Sequence, residues 1–128
     1  EVDINKFAEN ILSDFKSSNY KNMYEKMSAQ ARNVMPYEGF VRFEELDKDI
    51  LGDLERYEKL DSYTQTIAGQ SVTTLRYTAY FKNSGAVIVM IILEENGQLV
   101  CQAFHIDSLF FSDPEIQKRL QKFSPVQG

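Results

Sequence analysis

The chain holds a single cysteine, a single histidine and no tryptophan. One cysteine excludes an internal disulfide and fixes no redox compartment. A structural zinc site takes about four ligands and a catalytic one about three plus water. Cys101 and His105 are only two, and no acidic cluster is placed to complete them. We therefore expect no metal and no cofactor. Basic runs are equally absent: 14 Lys and Arg stand against 19 Asp and Glu, a net charge of −5. Nucleic-acid binding depends on cations neutralising phosphates, so no nucleic-acid partner is expected. An anionic membrane surface is excluded on the same ground. The longest apolar run, Ala86 to Leu93, has eight residues. A spanning helix needs about twenty, so no transmembrane segment is expected. Gly-rich phosphate loops, a Gly-x-Ser-x-Gly elbow and helical metal signatures are missing too.

What is present reads as an ordinary globular chain, 43% hydrophobic and 26% charged over 128 residues. That length suits a single domain, residues 1–128, able to bury about two thirds of its unfolded surface. Nine Phe and seven Tyr imply a core rich in rings. The sequence starts at Glu1 without an initiator Met, which we read as the removal of something upstream.

Ile4, Phe7, Ala8, Ile11, Leu12 and Phe15 recur at spacings of three and four, the stripe of an amphipathic helix over residues 3–16. Asp3 is its expected N-cap. Asn19 caps a short second helix carrying Tyr20, Met23, Tyr24 and Met27, and Ser28 starts another turn through Ala31, Val34 and Met35. Pro36 stops that turn and suits the first position of a new helix. Its apolar stripe is Phe40, Phe43, Leu46, Ile50, Leu51 and Leu54, ended by Gly52 as terminator. Glu44, Glu45, Asp47, Lys48 and Asp49 are expected to face water as a solvated helix surface.

After Gly52 the period changes from 3.6 to 2. Residues 57–68 are rich in Thr and Tyr but weakly patterned, as in an edge strand. Gly69-Gln70 turns the chain, and residues 72–81 alternate, with Thr73, Leu75, Tyr77, Ala79 and Phe81 on one face. Asn83-Ser84-Gly85 leads into the apolar run, and Asn96-Gly97 is a strong hairpin signal before a last strand over residues 98–107. Asp113-Pro114 opens a short C-terminal helix with Ile116, Leu120 and Phe123 on one side. Short turns cannot join parallel strands, so the expectation is an antiparallel meander in an α+β domain.

Three segments carry a resemblance: Leu75-Arg76-Tyr77-Thr78-Ala79-Tyr80-Phe81-Lys82-Asn83, the hairpin Glu94-Glu95-Asn96-Gly97-Gln98-Leu99, and the closing Ala103-Phe104-His105-Ile106-Asp107. With three helices before them, residues 3–107 resemble the nuclear transport factor 2-like (cystatin-like) superfamily. Within it, the likeness is to small exported bacterial domains of unknown function. The resemblance implies a cone: N-terminal helices packed on a curved four-stranded antiparallel sheet, a pocket between them, and a short C-terminal helix. It also implies export or a place in the bacterial cell envelope. The superfamily spans steroid isomerases, polyketide cyclases, dehydratases, transport adaptors and domains without known activity, so the fold does not choose the function.

Cys101 and His105, four apart in a strand, are expected on one face about 13 Å apart, too far for a base to reach a thiol. Cys101 then reads as a small buried apolar residue. His105 and Asp107 share a face and lie near enough to couple, and we read them as satisfying each other and the strand end. The alternative follows superfamily isomerases, with Asp107 as base and Tyr24, Tyr77 or Tyr80 as oxyanion donor. No tyrosine here falls in an isomerase motif, so no catalytic residue is assigned. The Asn96-Gly97 turn pairs Leu93 with Val100, hence Met90 with Ala103 and Ile88 with His105. A two-residue loop at Asn83-Ser84 then aligns Tyr77 with Met90 and points His105 toward the helices. A three-residue loop with a bulge flips the parity and puts His105 opposite the core with Arg76 and Tyr80. The sequence leaves both open.

The leading expectation is a non-catalytic domain binding a small apolar ligand or a protein partner. Its pocket is expected between Phe40, Phe43 and the sheet around Tyr77, with His105 and Asp107 as further candidate ligand-binding residues. The alternatives are a small isomerase- or cyclase-like enzyme using Asp107 with a Tyr, and a structural or assembly domain with no pocket. Residues 86–93 are apolar on both faces, whereas a half-exposed strand alternates with polar residues. The N-terminal helices can cover one face only, and Ile116 and Leu120 cover little of the other. A homodimer through the sheet is therefore expected.

Overall fold

The computed structural model describes residues 3–121, except for the side chain of Leu120, so Phe123 lies outside the described residues. In order come α1 (Ile4–Lys16), α2 (Tyr20–Glu25), α3 (Ala29–Val34), α4 (Tyr37–Leu51), β1 (Leu54–Ile67), β2 (Gln70–Phe81), β3 (Gly85–Glu95) and β4 (Gln98–Asp107). A 3-10 turn (Leu109–Ser112), which no sequence signal announced, leads into α5 (Pro114–Gln121). The architecture is the expected α+β one. The strands form one antiparallel sheet in the order β1-β2-β3-β4, curled and unclosed.

The expected caps form. The side chains of Asp3, Asn19 and Ser28 accept from the backbone N–H groups of Lys6 (3.1 Å), Asn22 (3.4 Å) and Ala31 (3.0 Å). Pro36 stands one place earlier than expected, at the N-cap, where it offers no side-chain acceptor. Gly52 closes α4 at φ +83°, and a Cβ there would meet Lys82 Cβ at 2.8 Å. That close approach turns the chain sharply enough that Leu54 leaves the helix stripe and starts β1, paired with Phe81. The β1–β2 turn is Ala68-Gly69, one residue earlier than expected, and like Asn96-Gly97 it has positive φ at both positions. This is the backbone of type I′ hairpin turns, whose twist matches that of the strands.

The core lies between the helices and one face of the sheet. From β2 it takes Leu75, Tyr77, Ala79 and Phe81, and from β3 Ala86, Ile88, Met90 and Ile92. Ala8, Ile11, Leu12 and Phe15 of α1 pack against them. Neither sequence-based loop count is met, because Tyr80 pairs with Gly85 and four residues lie between them. Leu93 does pair with Val100, but a bulge at Gln102 intervenes between Ile92↔Cys101 and Ile91↔Ala103. Met90 therefore faces Phe104 and Ile88 faces Ile106, not Ala103 and His105. One extra residue reverses the parity of the rest of the strand. It buries Ile106 and half-buries Phe104, while His105 and Asp107 are exposed. It also separates Cys101 from His105, so these two do not share a face.

One further expectation is corrected. Glu44 and Asp47 do not face water; each is 3% exposed. The helical period is the reason: Phe40, Glu44, Asp47 and Leu51 follow one another by four, three and four, on the face that α4 buries. The described side chains of the C-terminal segment lie on the helix side of the sheet. Phe111 and Ile116 pack against the helix-side core, and Arg119 pairs with Asp49 of α4 at 2.8 Å. Val87, Val89, Ile91 and Leu93 stay half-buried on the outer face, with no described helix over them.

Candidate functional site

The link between α2 and α3 pairs with the edge of β4. Cys101 N–H donates to Lys26 O, and Ser28 N–H donates to Cys101 O, both at 2.8 Å. Gln102 Nε2 donates to Gln30 Oε1 at 2.9 Å, and Ala29 N–H donates to Glu95 Oε1 at 3.3 Å. These bonds hold the helical link along β4, and a cavity of about 370 Å³ opens between it, α4 and the strand. Tyr24, Met27, Ala31 and Met35 line one side. Phe40, Phe43 and Glu44 come from α4, and Ala103, Phe104 and His105 from β4. Tyr24 is fixed in place, its hydroxyl donating toward Met35 O (2.9 Å) and Arg32 O (3.1 Å). Its ring stands 5.2 Å from Phe40 and 5.3 Å from Tyr37, an aromatic wall with defined geometry.

Glu44 is the one carboxyl in this lining. Its Oε1 has no hydrogen-bond partner among the described residues. Burial, then the charge of Asp47 and a hydrogen bond shared with it, hold Glu44 well above the usual carboxylate range. Burial lifts Asp47 to about 6, against the hydrogen bond from Glu44, which lowers it. The physical picture is one proton shared by two buried carboxyls. Lys48 lends Glu44 some opposing charge, but its Nζ is engaged by Ser18 Oγ at 2.7 Å and Lys16 O at 3.2 Å. The ammonium also sits over the Phe15 ring, 5.0 Å from the centroid.

Of the residues singled out from sequence, Phe40, Phe43 and His105 meet at this cavity. Tyr77 does not line it. It is buried beneath β1 with its ring 6.0 Å from Tyr57, and its hydroxyl is unpartnered among the described residues. Burial, with Glu9 and Tyr57 nearby, pushes that hydroxyl up to about 12. Asp107 pairs in register with Val87 on the outer face, and no hydrogen bond or ion pair links it to His105 among the described residues. Tyr24 is on the helix side, and Tyr80 lies under the Arg56 guanidinium at 3.7 Å. Asp107 is thus not brought together with Tyr24 or Tyr77. The Cys101 thiol is buried, donates to Ala103 O at 3.1 Å, and is pushed up to about 12 by that burial. Among the described residues no three His, Cys, Asp or Glu side chains converge as a metal would need.

A second cavity, about 750 Å³, lies by the Ala68-Gly69 turn between Gln70, Glu94, Leu99 and Ile4, and holds no buried ionisable group. Sequence reasoning passed over Glu44 and Asp47 because charge was weighed before phase. The signal was present in the spacing from Phe40 to Leu51, which runs straight through both carboxyls. No protein-family model matches the chain, and the comparisons with curated proteins and with solved structures likewise give no match.

Proposed function

We propose that this is a non-catalytic binding domain whose cavity between the α2–α3 link, α4 and β4 takes a small, mostly apolar ligand. The observation that carries the reading is the lining. The rings of Tyr24, Phe40, Phe43 and Phe104 and the thioethers of Met27 and Met35 surround a cavity of about 370 Å³. Small-molecule sites are concave, largely apolar and about 300–1,000 Å³ in volume, with a few polar groups to orient the ligand. The order of helices followed by a curled antiparallel sheet supports the nuclear transport factor 2-like reading, and with it a place in the cell envelope. A screen of apolar compounds by thermal shift tests the site. Phe43→Ala is expected to weaken each hit by about tenfold, the loss of roughly 1.4 kcal/mol of ring contact. Hits that bind the variant as tightly as the parent place the ligand elsewhere.

The uncovered outer face of the sheet favours a second reading, self-association. Val87, Val89, Ile91 and Leu93 form an apolar row flanked by Val100 and Ala103 of β4. A C2 interface uses the same patch on both copies, and a sheet face meets that requirement. The isomerase-like alternative draws its support from the resemblance alone.

A further inference from the structure

An apolar ligand by itself leaves the carboxyl in the cavity wall without a purpose. Glu44 lines the cavity at 3% exposure, and its Oε1 is unpartnered among the described residues. A buried polar atom left so destabilises the fold, which keeps it nonetheless. Asp47 shares a hydrogen bond with Glu44, and the two carboxyls hold one proton between them. An unpartnered carboxylate oxygen accepts, so the partner that suits Oε1 is a donor. Resting on the reading of this cavity as a ligand site, we propose that the ligand carries a protonated amine on its apolar body, and that the ammonium donates to Glu44 Oε1.

Charge and wall chemistry favour an ammonium over a neutral donor. One proton on two carboxyls leaves a negative charge at the pair, in a site poorly screened by water. The faces of Tyr24, Phe40 and Phe43 attract cations through the ring quadrupole. Lys48 does not line the cavity, and its Nζ is directed to Ser18 and Lys16. Tyr20 and Cys101 also feel the pair, but burial pushes both up, Cys101 to about 12, so neither ionises near neutrality. The other titratable side chains lining the cavity are Tyr24, on the helix side, and His105, on the β4 side.

Three probes with one tail and different heads test this by calorimetry on the 128-residue chain: octylammonium, 1-octanol and octanoate. At pH 7.5 octylammonium is expected to bind at least about tenfold tighter than octanol, with octanoate the weakest. Glu44→Met keeps the length of the side chain and removes the unpartnered oxygen. It is expected to weaken the amine by at least about tenfold, and octanol, a neutral donor, by less than the amine. A measurement that leaves Glu44 intact stands beside it, made on the His105→Gln protein so that no imidazole contributes. There, amine affinity falls about fivefold or more from pH 7.5 to pH 5 as Asp47 gains its proton, while octanol stays level. Octanol matching the amine, an unchanged amine affinity in Glu44→Met, or an amine affinity independent of pH each overturn the proposal and leave the ligand site standing. Failure of all three probes to bind the parent protein overturns the site, and the proposal with it.

Discussion

Asp47→Asn should make the protein more stable at neutral pH, against the usual effect of replacing a buried residue. Asp47 is 3% exposed, and burial lifts its carboxyl from 3.8 to about 6. Between those two values the native state holds a proton that the unfolded chain has released. Unfolding therefore becomes easier as the pH rises through that window, and the loss is complete above about pH 6. At about 1.4 kcal/mol for each tenfold in proton affinity, the loss is roughly 3 kcal/mol at pH 7.5. By the same linkage it shrinks to about 1 kcal/mol at pH 4.5. Asn removes the charge, keeps the shape and still offers Glu44 a carbonyl acceptor. Urea unfolding followed by circular dichroism at the two pH values reads the difference. With a urea slope of about 1–3 kcal/mol/M, the midpoint should rise by about 1–3 M at pH 7.5 and by less than half as much at pH 4.5. Groups outside the Glu44–Asp47 pair titrate in both proteins, so the comparison at each pH isolates the pair. A midpoint that does not rise at pH 7.5, or that rises equally at both, would show that Asp47 is not held charged in a dry site.

Further outcomes follow from other parts of the molecule. The Cys101 thiol, buried and pushed up to about 12, should resist an aromatic disulfide reagent at pH 8 in native protein and react fully in urea; rapid native labelling would contradict its burial. Deleting Gln102 removes the extra residue but keeps Phe104 opposite Met90 and Ile106 opposite Ile88, so Phe104 stays beside Phe15, whose ring is 5.3 Å away. The thermal midpoint should therefore stay within about 5 °C of the parent, and a collapse of the transition would show that the extra residue itself carries the packing of β4. Light scattering after gel filtration should give twice the 14.8 kDa chain mass at micromolar concentration. A clean monomer mass would mean that the outer sheet face tolerates water as it is.

The helices and the meander were legible in the sequence because each carries its own local signal. Asp3, Asn19 and Ser28 are capping residues, Gly52 ends a helix, and Asn96-Gly97 makes only one kind of turn well. The register of β4 was not legible, since a bulge at Gln102 leaves no mark in a run of residues that alternate equally well without it. The facing of His105 and Asp107, which the sequence leaves open, follows from that register. The candidate site was legible in half: Phe40 and Phe43 by periodicity, Tyr24 as a ring on a short helix. Glu44 and Asp47 were hidden by their charge, because a carboxyl on a helix is ordinarily solvated and only tertiary packing makes it otherwise. Nothing local marks the pairing of Lys26 and Ser28 with Cys101, which closes the cavity and joins positions far apart in the chain.

The outer edge of β1 sets a limit of a different kind, on how concentrated this protein can become before chains add to one another. A strand with a single neighbour presents a row of free N–H and C=O groups, a template for further strands. In β1 the template is interrupted twice, by the extra residues Glu55 and Leu60 in its pairing with β2. The same stretch is charged, with Glu55, Arg56, Glu58, Lys59 and Asp61 close together. Beyond Asp61 both devices stop. Ser62 to Ile67 pairs without a bulge and carries no charge, and Tyr63 and Ile67 are 55% and 52% exposed. A six-residue uncharged segment of this kind, rich in Thr and free of Pro, has the length and composition from which cross-β stacking grows. Colloidal behaviour is thus governed by the distal part of one hairpin, and a lysine at Gln65 is the smallest change that extends the charged guard along the whole edge.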